Sequence, residues 1–308
     1  MPLEQMPVGS SQVVRTLREV GRSSVTSLAA LGLAATVALS TAPVHAQVSF
    51  LTAPTYATGD SPTSVTVGDL DGDGDLDLAT ANLSDDTVSV LKNNGNGTFA
   101  TAQNFAAGDG PTFITVGDLD GDGDLDLATA NSNSDNVSVL RNNGNGTFAA
   151  AQNFAVGDRP SSITVGKLDG DCDLDLATAN RNSDNVSVLR NNGNGTFAAA
   201  QNFTTGTSPT SITVGNLDGD SDLDLATANY SYYPASGSVS VLKNNGSGTF
   251  AAPQTFATEE RPISITVGDL DKDGDLDLAA ANNDGSYPDF SGTVSVFKNN
   301  GNGTFATA

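Results

Sequence analysis

Carboxylates spaced two residues apart recur five times along this chain. The first run, DLDGDGDLD, spans residues 69–77, and related runs begin at 118, 167, 216 and 269. Like charges at that spacing repel one another, so their return at one place per repeat points to a cation that offsets the cost. Numbered from the start of the run, Asp69, Asp71 and Asp73 stand at positions 1, 3 and 5, and Gly74 permits a sharp bend at position 6. Asp75 offers its main-chain carbonyl at position 7, and Asp77 closes the set at position 9. A D-x-D-x-D-G loop of hard oxygen donors suits Ca²⁺. It is not an EF-hand, because position 12 is Thr80 instead of a bidentate Glu and the flanks read as strands.

The copies are not equal. The second loop (Asp118, Asp120, Asp122, Asp124, Asp126) and the fifth (Asp269, Asp271, Asp273, Asp275, Asp277) keep the full pattern. The fourth has Asn216 ahead of Asp218, Asp220, Asp222 and Asp224, with Ser221 where glycine is expected, so it should bind more weakly. The third has Lys167 at position 1 and Cys172 at position 6. It is expected to be metal-free, with the Lys167 ammonium among Asp169, Asp171 and Asp175 as an internal cation.

The elements that hold these loops follow from the spacing. The runs are separated by 49 residues three times and by 53 once, a period typical of propellers, solenoids and arrays. Each repeat has four short runs rich in Val, Thr, Ala and Phe, shown in the first by SVTVGDL, DLATAN, TVSVLKN and TFATAQNFA. Alternation of this kind favours strands. The third and fourth are joined by NNGNG, whose Asn-Gly steps supply the positive φ angles of a tight hairpin. The same turn explains the sequons at Asn96, Asn145, Asn194, Asn245 and Asn302 without glycosylation. The expected fold is all-β, a β-propeller of five four-stranded antiparallel blades. Residues 49–60, SFLTAPTYATGD, parallel TFATAQNFAAGD and so read as a fourth strand without a blade. They could pair into the last blade and close a ring of five; a ring left open would present its edges to a second copy.

Composition narrows the function. The chain carries 36 acidic and 13 basic side chains, a formal charge of −23, and the five loops hold 23 of the acids. That balance opposes nucleic-acid binding. Arg15, Arg18 and Arg22 precede an apolar stretch over 25–39 and the segment TAPVHA ending at Ala46. These are the parts of a secretory signal peptide, too short in its apolar run for a bilayer span. Residues 1–46 are therefore expected to be removed, leaving a propeller over 47–308 without a membrane span, in the extracellular space, at the cell surface or in the periplasm. His45, the only histidine, leaves with that leader, and Cys172 is the only cysteine. Neither a Ser-His nor a Cys-His nucleophile can be assembled, so the chain is not expected to be an enzyme, a calcium-assisted polysaccharide lyase using Tyr232 and Arg261 being the lesser alternative.

GDLDGDGDLDLATAN followed by VSVLKNNGNGTF resembles the FG-GAP or VCBS repeat, the calcium-loop blade of the integrin α-subunit propeller and of some lectins. The resemblance implies a propeller with structural Ca²⁺. It leaves the function open among adhesion, sugar binding and scaffolding. What varies between copies is the link from second to third strand, which lengthens to YSYYPASGS (230–238) and NDGSYPDFSGT (283–293) in the last two repeats. Tyr230, Tyr232, Tyr233, Tyr287 and Phe290 are expected to gather there near Arg261, on the face opposite the loops, as a site for a carbohydrate or protein ligand.

Overall fold

Alternating β-branched residues and Asn-Gly turns produce twenty strands and no helix among the residues described by the computed structural model, which are 53–231, 236–258, 261–283 and 292–307. The leader expected over 1–46 lies outside them. The first sheet comprises β1 (Pro62–Gly68), β2 (Asp77–Asn82), β3 (Thr87–Leu91) and β4 (Gln103–Ala106), antiparallel and in chain order. The same order is repeated by β5 (Pro111–Gly117) to β8 (Gln152–Ala155), β9 (Pro160–Gly166) to β12 (Gln201–Thr204), and β13 (Pro209–Gly215) to β16 (Gln254–Ala257). The fifth sheet runs from β17 (Arg261–Gly268) through β18 (Asp277–Asn283) and β19 (Gly292–Asn299) to β20 (Phe305–Thr307). Five four-stranded blades are therefore present, as the repeats imply.

The second strand of each blade, DLATAN in four of five copies, lies between two neighbours and is the most buried. Its alanines let the next blade approach closely. Leu70, Ala79, Ala81, Val88 and Val90 of the first blade pack against Ile114, Leu127, Leu140 and Phe148 of the second, and three equivalent clusters join the following pairs. Full burial of a side chain of this size contributes about 1.5–3 kcal/mol. The strand-to-strand polar groups of the first blade are paired: Asn82 Nδ2 donates to Ser89 Oγ (2.8 Å), and Ser89 Oγ donates to Asn104 Oδ1 (2.8 Å). That arrangement recurs through Ser138 and Ser187, as buried polar atoms require.

The row of blades is open. Val65 (61% exposed), Val67 and Leu76 lie bare on the first blade, although Ile114, the counterpart of Val65, is 2% exposed. Val294 is 64% exposed on the last blade, while Val88 and its counterparts are fully buried. Residues 54–60 do not complete the fifth blade. They lie on the first, where the Tyr56 ring meets Phe99 edge-on at 5.3 Å and the Gly59 amide donates to Ser89 Oγ (2.9 Å). Beside Phe297–Asn299 the strand partner is β20.

Candidate functional site

Each acidic loop connects the first strand of a blade to the second, so backbone geometry brings its carboxylates together at one end of the sheet. In the second loop, Asp118 Oδ1 accepts the Gly121 amide (2.8 Å) and Oδ2 accepts that of Gly123 (3.1 Å). Asp122 Oδ1 accepts the Asp124 amide (2.9 Å). The bend at position 6 has φ of 95° at Gly123, 90° at Gly74 and 97° at Gly274, a left-handed backbone that glycine adopts without strain. Ser221 is held at φ 82° in the fourth loop.

Oxygen atoms of Asp69, Asp71 and Asp77 lie within 4.8 Å of one another, as do those of Asp118, Asp120 and Asp122, and of Asp269, Asp271 and Asp273. Asp120 Oδ1 is buried and has no hydrogen-bond partner. A buried acceptor without a donor, in a cluster of hard oxygen atoms, fits a divalent cation of the Ca²⁺ type. The third loop differs from expectation in one respect. Asp169, Asp171 and Asp175 converge as closely as the others, but Lys167 is exposed and forms no ion pair with them among the described residues.

The position-9 carboxylates do structural work as well. Asp126 is fully buried, and it accepts the Leu119 amide (2.9 Å) from its own loop and the Asn142 amide (2.7 Å) from the hairpin. Asp77, Asp175, Asp224 and Asp277 repeat the pair of bonds. Burial pushes Asp126, Asp175 and Asp224 up to about 6 despite those donors, and it raises Asp77 too. The position-7 carboxylates of Asp75, Asp124, Asp222 and Asp275 lie against a hairpin glycine. A Cβ on Gly144 would stand 2.5 Å from Asp124 Oδ2, and its φ of 73° is a left-handed backbone that favours glycine.

A basic residue after the third strand, not singled out from the sequence, faces position 3. Lys92, Lys243 and Lys298 lie 3.4–3.5 Å from Asp71, Asp218 and Asp271, and Arg141 lies 3.9 Å from Asp120. Lys92 and Lys243 also donate to the carbonyls of Asn145 and Asn302 in the hairpin of the next blade. Recurrence at one repeat position was the available signal.

At the opposite end of the strands, the structure brings Tyr230 and Arg261 together as expected. The Arg261 guanidinium donates to Tyr230 Oη (3.2 Å) and lies 5.6 Å from the ring centroid. Arg181 lies 5.4 Å from the same ring. Tyr232, Tyr233, Tyr287 and Phe290 lie outside the described residues. Arg181 and Arg159 were missed, yet they hold the repeat positions of Tyr230 and Arg261: the Arg181 amide donates to the Arg159 carbonyl (3.0 Å) as the Tyr230 amide does to that of Ser208. Both arginines line an open cavity of about 240 Å³ with Leu83, Ser132, Asn133 and Ser161. Neither guanidinium has a carboxylate within ion-pair distance among the described residues.

A family model described as FG-GAP-like repeat matches residues 69–129, 118–178, 167–227 and 228–280. No curated protein sequence matches the chain. Among solved structures it is similar to the Tc holotoxin pore of Photorhabdus luminescens, at 17% identity and TM-score 0.45, covering 83% of this chain and 12% of that one. It is also similar to BBS1N in complex with ARL6DN (13% identity, TM-score 0.42, 82% of this chain and 83% of that one). A third is the V. cholerae biofilm matrix protein Bap1 (15% identity, TM-score 0.45, 80% and 38%). No helix among the described residues is long and apolar enough to cross a membrane.

Proposed function

The chain belongs to the FG-GAP-like repeat family, and from that membership we propose that it is a secreted or cell-surface binding and adhesion module, stabilised by Ca²⁺ and without catalytic chemistry of its own. Asp69, Asp71 and Asp73, their counterparts in loops two and five, and more weakly those of loop four would hold the ion. Bound there, Ca²⁺ neutralises the loop carboxylates and ties the first strand of each blade to the second. Asp77 and its equivalents strap the loop to the hairpin, and Lys92 and its equivalents offset the position-3 charge.

The single observation that carries the binding role is the stack of Arg181, Tyr230 and Arg261 beside the cavity of Arg159. The Arg159 and Arg181 guanidiniums, which have no carboxylate within ion-pair distance among the described residues, favour an anionic group on the ligand in a chain of net charge −23, and the Tyr230 ring beside them favours a sugar. An acidic carbohydrate meets both conditions. The test is a screen of acidic and neutral glycans in the presence of Ca²⁺, using the chain and its Arg181→Ala and Tyr230→Ala variants. Retention of acidic glycans that is lost in both variants is the expected result. A blank screen rejects the carbohydrate and moves the assignment to a protein ligand or to scaffolding.

A further inference from the structure

The residues that follow the second strand stand side by side from blade to blade. Leu83, Ser132, Arg181 and Tyr230 each come directly after a strand of sequence DLATAN. One kind of bond fixes them all: their amides donate to the carbonyls of Ser61, Gly110, Arg159 and Ser208 (2.8–3.0 Å). Leu83, Ser132 and Arg181 line one cavity. Arg181 in turn lies 5.4 Å from the centroid of the Tyr230 ring, and Arg261 of β17 lies 5.6 Å from the same ring. These residues therefore form one continuous row that runs over all five blades.

Chemistry along the row is uneven. Over the first two blades it offers neutral groups, namely the Leu83 side chain, the Ser132 hydroxyl and the Asn133 amide. The third blade brings Arg159 and Arg181 into the same cavity. Among the described residues no carboxylate lines it, in a chain with 36 acidic side chains. Two guanidiniums beside neutral polar groups suit an acidic group carried on a hydroxyl-rich ligand. The cavity volume of about 240 Å³ falls below the roughly 300–1,000 Å³ of pockets that enclose a small ligand. An open hollow of that size seats part of a chain that continues along the row.

We propose that the ligand is an unbranched acidic polysaccharide bound along its length, an inference that rests on the acidic-carbohydrate reading above. Acidic groups of the polymer meet Arg159 and Arg181 on the third blade. Its neutral hydroxyl groups lie against Leu83, Ser132 and Asn133 on one side, and the polymer continues across Tyr230 and Arg261 on the other. Each contact is weak alone, and joining them on one polymer makes the later ones intramolecular. Affinity therefore grows with the number of sugars until the row is filled, and internal stretches of the polymer bind as well as its ends.

The test is titration calorimetry of the full chain in Ca²⁺, comparing glucuronic acid with hyaluronan oligosaccharides of increasing length. Chondroitin sulfate oligosaccharides of matching length distinguish a carboxylate from a sulfate ester as the preferred acidic group. In at least one series, affinity should rise roughly tenfold or more from disaccharide to decasaccharide, and the long polymer should carry many protein copies. Arg159→Gly removes one guanidinium where φ is 55° and where the second blade has Gly110 at 67°, so it should keep the melting temperature of the parent. It should weaken binding of the decasaccharide roughly tenfold. Equal affinity at every length, one protein copy per polymer, or an unchanged decasaccharide affinity in Arg159→Gly would overturn the proposal and leave recognition of a single acidic sugar standing. No binding in either series would overturn the acidic-carbohydrate reading as well.

Discussion

The second and third loops share a backbone route and differ at two residues that matter. In the second, Asp118 accepts two loop amides and Gly123 takes the left-handed bend. In the third, Lys167 accepts none and is exposed, and Cys172 is not in a left-handed conformation. Even so, Asp169, Asp171 and Asp175 meet as closely as Asp118, Asp120 and Asp122. The bonds that place them survive, from the Asp171 amide to Asp169 and from the Leu168 and Asn191 amides to Asp175. Convergence of carboxylates is thus a property of the blade, whereas a complete ligand set is a property of position 1 and the bend at position 6.

Removal of Ca²⁺ should have the largest effect. With the complete loops loaded, EDTA is expected to lower the melting temperature by about 10 °C or more in calorimetry, and an unchanged transition would reject the calcium assignment. Next in size, Asp120→Ala should remove one bound Ca²⁺ in titration calorimetry and cost about 2–3 kcal/mol of Ca²⁺-loaded stability. Asp169→Ala should leave the stoichiometry as it was. Loss of an ion in the Asp169 variant would erase the distinction between the two loops. Conversely, Lys167→Asp combined with Cys172→Gly should add one bound ion, and failure to gain it would show that the third loop lacks more than these two residues.

Acid titration sharpens the contrast further. Asp126 and Asp175 are both pushed up to about 6 by burial, from an ordinary 3.8. The folded state therefore holds more protons than the unfolded state between those values, and the stability these groups contribute is present below 3.8 and lost as pH rises through about 6. In EDTA the melting temperature should accordingly rise by a few degrees as pH falls from 7 to 5. With Ca²⁺ present, carboxyl NMR shifts should show Asp126 titrating lower while Asp175 stays raised; a parallel fall at Asp175 would place an ion in the third loop. The smallest effect concerns Ser221 at φ 82°, where Ser221→Gly should stabilise the metal-free protein by about 0.5–1 kcal/mol in urea denaturation. A loss of stability would mean that the serine side chain contributes more than its backbone costs.

Much of the fold is legible in the sequence alone. The 49-residue spacing, the alternation in SVTVGDL and the Asn-Gly turn at Asn94 and Gly95 each act within a few residues, so they specify strands, hairpins and blade order locally. The ligand pattern from Asp69 to Asp77 was legible for the same reason. The basic tethers were less so, because Lys92 reaches Asp71 only after two strands have paired. Arg159 and Arg181 were not legible there, because insertion length sets Tyr230 apart in the sequence whereas these arginines differ from their counterparts only in repeat register.

By itself, the sequence determined the number of blades, their strand order, the donor atoms of each loop and which copy departs from the pattern. Tertiary structure alone decided that Arg181, Tyr230 and Arg261 share one stack, that the third loop gathers its carboxylates without Lys167, and that residues 54–60 lie on the first blade rather than in the fifth. The physical reason is range. Turn chemistry and side-chain alternation are encoded between near neighbours, whereas closure depends on how far each blade rotates on the last, a quantity set by packing summed over four interfaces and written at no single residue.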